Sequence, residues 1–182
     1  MKEFLRDFWT NYSYIHNTTK TLYILSEEYD DELSSFIQPI KEQKDSLEHI
    51  VRAYSRYASI DGTISEEDEK YITQNLDKAM GHTFRSFFDC ADVLSIILRE
   101  KLSVELSRFS YSKIVAVWPA YEEYRKVLVE MPARVAKLRT NKDVASGKDA
   151  IVSMVKEYKD NIDELFKIYN TFMKDIYPKL SK

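Results

Sequence analysis

In the stretch Glu66–Phe109, Asn75, Lys78, His82, Arg85, Asp89 and Asp92 follow one another at intervals of 3, 4, 3, 4 and 3 residues. On a helix this spacing sets all six side chains along one stripe. The residue types suit anion chemistry. A guanidinium is a rigid fork for phosphate or carboxylate, an imidazole exchanges protons near neutrality, and a carboxylate can orient that imidazole. His49 and Arg52 repeat the His-x-x-Arg spacing of His82 and Arg85 one helix earlier. A turn at Asp61-Gly62 that brings the two helices side by side would gather two imidazoles and two guanidiniums. In that arrangement His82 and His49 are the acid/base candidates, Arg85 and Arg52 the anion clamps, and Asp89 the orienting carboxylate.

A plainer reading competes. Any amphipathic helix facing solvent carries its polar residues on one stripe. What departs from that pattern is composition: between Lys70 and Arg99 the helix has no Glu and one Lys, although these are the strong helix formers of solvated faces. Both polar faces also point away from the apolar stripes through which the helices are expected to pack. A shared pocket then requires a groove, a second subunit or a rotated helix.

Other chemistry finds little support. The three histidines, His16, His49 and His82, form no His-Glu-x-x-His or Glu-x-x-His pattern, so no metal is expected. There is no glycine-rich phosphate loop and no Gly-x-Ser-x-Gly elbow, and no cofactor is implied. Cys90 lies among Phe87, Ala91 and Leu94 and reads as a buried, inert thiol. Asp61-Gly62 and Ile64 match part of a calcium loop, but Tyr57 occupies its first ligand position. The many tyrosines and phenylalanines are periodic and read as core; only Tyr111, Trp118, Tyr121 and Tyr124 near Arg125 mix aromatic and basic character as a nucleic-acid surface would.

Composition bounds the rest. The chain has 182 residues and a net charge of −3, with only 3 Gly and 4 Pro, so it must be built from a few long elements. An acidic balance leaves no basic footprint for non-specific nucleic-acid binding. No apolar run approaches the roughly 20 residues that span a bilayer. Glu3, Arg6 and Asp7 interrupt the N-terminal segment, so no secretory signal is expected and a cytoplasmic location is the default.

The elements follow from a 3.6-residue period. Residues 2–38 form one helix, or two if Asn17-Thr18-Thr19 breaks them, with Asp30-Asp31 and Pro39 as further boundaries. A helix over Ile40–Tyr57 is expected to bury Ile40, Leu47, Ile50, Val51, Tyr54 and Tyr57. Ser65 and Asp68 are spaced as a capping box that starts the central helix, whose buried side runs from Ile72 through Phe87 and Leu94 to Leu102. At roughly 65 Å that helix implies an elongated bundle or a bend at Gly81. Ser107–Ser112 reads as a loop, and Ile114–Arg139 as a helical region interrupted by Pro119 and Pro132. Thr140–Lys148 is a turn, and a last helix over Asp149–Tyr177 ends at Pro178.

The expectation is an all-α, up-and-down bundle of four to five long helices forming a single domain over residues 1–182. Absence of every specific catalytic signature favours an interaction or regulatory bundle, with a protein partner or self-association through a helix face. A nucleotide or nucleic-acid sensor or enzyme using the His/Arg/Asp cluster is the alternative.

Overall fold

A computed structural model describes residues 1–31, 36–141 and 148–182, with the side chains of 139, 141, 148 and 149 outside that description. The chain is all-α, and among the described residues there is no strand. Its helices are α1 (Lys2–Tyr29), α2 (Ile37–Ala58), α3 (Glu66–Ser107), α4 (Tyr111–Val117), α5 (Tyr121–Asn141), α6 (Lys148–Thr171) and α7 (Tyr177–Leu180), with a π-helical turn at Phe172–Ile176 before α7. Among the described residues no helix is long and apolar enough to cross a membrane. Contacts gather into two compact units, one of Met1–Ile24 and Glu32–Cys90, the other of Leu25–Asp31 and Ala91–Lys182.

In the first unit α1 is a single helix through Asn17-Thr18-Thr19. The threonine hydroxyls do not cap a new helix. Thr18 and Thr19 donate to the carbonyls of Tyr14 and Ile15 at 2.8 Å, and Thr21 donates to Asn17 at 3.0 Å, so each is satisfied inside one continuous helix, the first of the two alternatives. Pro39 sits in the first turn of α2, where its missing N–H costs no intrahelical bond. Gly62 takes φ +102°, the left-handed geometry a side chain resists, and turns the chain toward α3. Ser65 and Asp68 then exchange bonds: the Asp68 amide donates to Ser65 Oγ at 3.1 Å, and the Ser65 amide to Asp68 Oδ2 at 3.4 Å. The capping box is formed as spaced.

α3 buries the side its sequence marks, including Leu76, Ala79, Phe87 and Phe88 with no exposure, and it is helical through Gly81. α2 departs from expectation. Its apolar stripe is outside: Ile40 is 52% exposed, Leu47 59%, Val51 54% and Tyr54 45%, with Tyr57 exposed too. Inside are Pro39, Ser46 and Ala53, seven residues apart. Small side chains at that interval let α2 lie close against its neighbours. At the centre, Ser46 Oγ donates to the Ala79 carbonyl at 2.9 Å and lies 2.9 Å from both Tyr12 Oη and Thr83 Oγ1. One donor and two acceptor sites are thus all used, by side chains from α1 and α3.

In the second unit, Leu102, Leu106, Ile114, Trp118, Ile168, Phe172, Ile176 and Leu180 form one buried cluster. Ser110 caps α4 by accepting from the Lys113 amide at 3.3 Å. Pro119 falls in the break between α4 and α5, whereas Pro132 lies inside α5. The expected stop at Pro178 is not where the chain ends its helical path. The π turn places Pro178 in the first turn of α7, where no donor is needed, and Leu180 beyond it is fully buried. Most of the turn expected over Thr140–Lys148 lies at 142–147, outside the described residues.

Ser46→Ala is expected to lower stability by roughly 1–3 kcal/mol, because it leaves buried hydroxyls of Tyr12 and Thr83 short of a partner. Urea unfolding of the two proteins measures the difference.

Candidate functional site

The seam between α2 and α3 is a ladder of polar pairs, and numbers rise along α2 as they fall along α3, so the two helices are antiparallel. Pro39 accepts from Ser86 Oγ at 3.0 Å, and Glu42 meets His82 and Arg85. Further along, Ser46 meets Ala79 and Thr83, His49 meets Asn75, and Arg56 meets Asp68. Pro39, Glu42, Ser46, His49, Ala53 and Arg56 recur at alternating intervals of 3 and 4, a seam as regular as any apolar one.

The richest rung is Glu42. Its Oε2 lies 2.8 Å from His82 Nδ1 and accepts from Arg85 Nε at 2.9 Å, while Oε1 accepts from Gln38 at 3.2 Å. Burial acts to push the Glu42 carboxyl up, but the hydrogen bonds from His82 and Arg85 overcome it and hold the group below its ordinary value. Arg85 Nη2 also lies 2.7 Å from His82 Nδ1. A proton on Nδ1 directs the ring to the carboxylate, and its loss leaves a lone pair for the guanidinium; the two contacts exclude one another. His49 stacks on His82 with ring centroids 5.3 Å apart and planes at 23°. Its Nδ1 lies 3.0 Å from Asn75 Oδ1, and Asn75 is anchored by donating to the Tyr71 carbonyl at 2.9 Å.

The structure therefore brings together His49, His82 and Arg85 of the five candidates. The rotation that the apolar stripes argued against is the one α2 adopts. Arg52 stands apart, paired with Glu48 on its own helix. The carboxylate that holds His82 is Glu42, not Asp89. Lys78 faces solvent, and Asp92 accepts from Tyr158 in the second unit. Glu42 was not among the sequence candidates, because a glutamate on an amphipathic helix is unremarkable until its partners on α3 are known.

Chemically the cluster is a neutralised ion network. Arg85 is half exposed, but its charge is already met by Glu42. Cys90, as expected, is buried, and desolvation pushes its thiol up to about 12, far from a nucleophile's range. Among the described residues no group of three His, Cys, Asp or Glu side chains is placed to hold a metal ion. Comparison with protein-family models, curated proteins and solved structures finds no match to this chain.

Because the Glu42 carboxyl is depressed in the folded state, its contribution to stability is present above the ordinary value of 4.5 and is lost as pH falls through the folded value. Glu42→Gln is expected to destabilise the protein by roughly 1–2 kcal/mol near neutrality. The gap between the two proteins should close on acidification below 4.5, as read by thermal melts across pH.

Proposed function

We propose that this chain is a non-catalytic interaction module that self-associates through the outer face of α2. One observation carries the reading: α2 packs by its small polar seam and presents Ile37, Ile40, Leu47, Val51 and Tyr54 to solvent. Such a stripe on an ordered helix is the kind of apolar patch that marks an interface.

The stripe is self-complementary in the antiparallel sense. Ile37, Lys44 and Val51 alternate with Ile40, Leu47 and Tyr54 as the two core positions of a heptad seam. An antiparallel second copy sets Ile37 against Tyr54, Ile40 against Val51, and the Lys44 stem over Leu47. The flanking Lys41 then meets Glu48 of the second copy, twice by symmetry. A parallel pair would instead force Lys44 against Lys44. With five half-exposed large side chains per copy, the interface would bury on the order of 1,000 Å², which suits a reversible dimer.

Sedimentation equilibrium tests this. The expected result is a concentration-dependent dimer that Leu47→Glu converts to monomer without loss of helicity. Lys41→Glu should weaken it at least tenfold, and Lys41→Glu with Glu48→Lys should restore it. A monomer at all concentrations, a dimer indifferent to Leu47→Glu, or binding of the stripe to lipid vesicles would sink the proposal.

A second reading rests on the stacked His49 and His82 beside Arg85. In it a phosphate-bearing ligand displaces Glu42 from Arg85, and the protein acts as a sensor. Thermal stabilisation by inorganic phosphate that disappears in Arg85→Ala would support it. Indifference of the melting temperature to phosphate counts against it.

A further inference from the structure

The second unit contains a cleft of about 500 Å³ that the reading above does not use. It is bordered by the end of α3, by α4 and by the first turns of α5. Its volume lies within the roughly 300–1,000 Å³ of small-molecule sites. Two guanidiniums line it from different helices, Arg99 of α3 and Arg125 of α5, and among the described residues lining it none is acidic. Arg99 spends only Nε within its own helix, donating to the Ser95 carbonyl at 3.1 Å. Among the described residues Arg125 pairs with Glu122, whose Oε2 is 3.7 Å from Nη1, too long for a strong bond, while its Oε1 accepts from Tyr111 Oη at 2.5 Å. Among the described residues, no shorter contact takes the terminal donors of either fork.

The remaining lining selects the ligand's body. Phe109, Tyr111 and Tyr121 supply rings, with Tyr111 and Tyr121 in an edge contact 6.2 Å between centroids, and Ile114 and Leu128 add apolar surface. Ser103 adds a hydroxyl, and Ser107, whose Oγ donates to the Val104 carbonyl at 2.7 Å, keeps acceptor capacity. An alkyl chain would leave the Ser103 hydroxyl facing hydrocarbon, whereas a heteroaromatic ring offers a π-face to the aromatic side chains and a polar edge to the serines. A single carboxylate needs one guanidinium fork; a phosphate has oxygens for two.

We infer that this cleft binds a phosphorylated heteroaromatic molecule of mononucleotide size, with Arg99 and Arg125 clamping the phosphate and the ring lying against Tyr111, Tyr121 and Phe109. The site shares no residue with the Glu42–His82–Arg85 cluster or with the outer face of α2. It assigns a role to Arg125 and its neighbouring tyrosines, which were singled out as the chain's one aromatic-basic mixture.

Isothermal titration calorimetry of the full chain against the common nucleoside monophosphates tests it, with inorganic phosphate, the matching nucleosides and a medium-chain fatty acid as controls. The expected result is saturable binding of at least one nucleotide, at least tenfold tighter than phosphate or nucleoside alone. Arg99→Lys and Arg125→Lys, which keep charge but remove the fork, should each weaken it about tenfold with unchanged circular dichroism. Arg85→Ala should leave it intact, which separates this site from the sensor reading. Absence of saturable heat with every nucleotide overturns the proposal. So does affinity matched by phosphate or by the fatty acid, or binding unaffected by both arginine variants.

Discussion

Three helices meet at one hydroxyl. Ser46 Oγ of α2 donates to a backbone carbonyl of α3 and lies within hydrogen-bond distance of Tyr12 of α1 and Thr83 of α3, all of them buried. A buried hydroxyl without a partner costs more than a well-made hydrogen bond contributes, so this junction tolerates little rotation of α2. With Ser46 turned inward, Pro39 and Ala53 go inward with it, and Glu42 and His49 come to the flank of the same seam. Everything else about α2 follows from that orientation.

Two consequences come from the one rotation. Inward, Glu42 reaches His82 and Arg85, and His49 stacks on His82, so a set of groups suited to anion chemistry is assembled and neutralised in the same act. Outward, Ile40, Leu47, Val51 and Tyr54 are left in water. A helix that satisfied its apolar stripe within its own unit would have exposed Glu42 and His49 instead, and neither feature would exist. The hydrogen-bond requirement of the α3 surface, with Asn75, Thr83 and Ser86 buried on it, is what decides between the two.

Much of the architecture was legible because it is local or periodic. The buried face of α3 from Ile72 to Leu102 is the apolar face its spacing marks, and the reciprocal bonds of Ser65 and Asp68 were readable from a spacing of three. Local signals did not decide where the same residue has two uses. Thr18 and Thr19 can cap a helix or bond back four residues, and they do the latter. Pro178 can stop a helix or begin one, and the π turn before it makes it a beginning. The candidate site was half legible: its histidines and Arg85 stand out by type, but Glu42 does not, since a glutamate on a helix is ordinary until a partner 40 residues away is known.

The sequence by itself determined that this chain is a set of long helices, where most of them begin and end, and which side of α3 is core. These are set by dihedral preferences, caps and a 3.6-residue period, all written within a turn or two of the residue concerned. Only the tertiary structure decided which face of α2 turns inward. That choice depends on whether the opposing surface of α3 requires hydrogen bonds or hydrocarbon, and no local pattern on α2 carries that information.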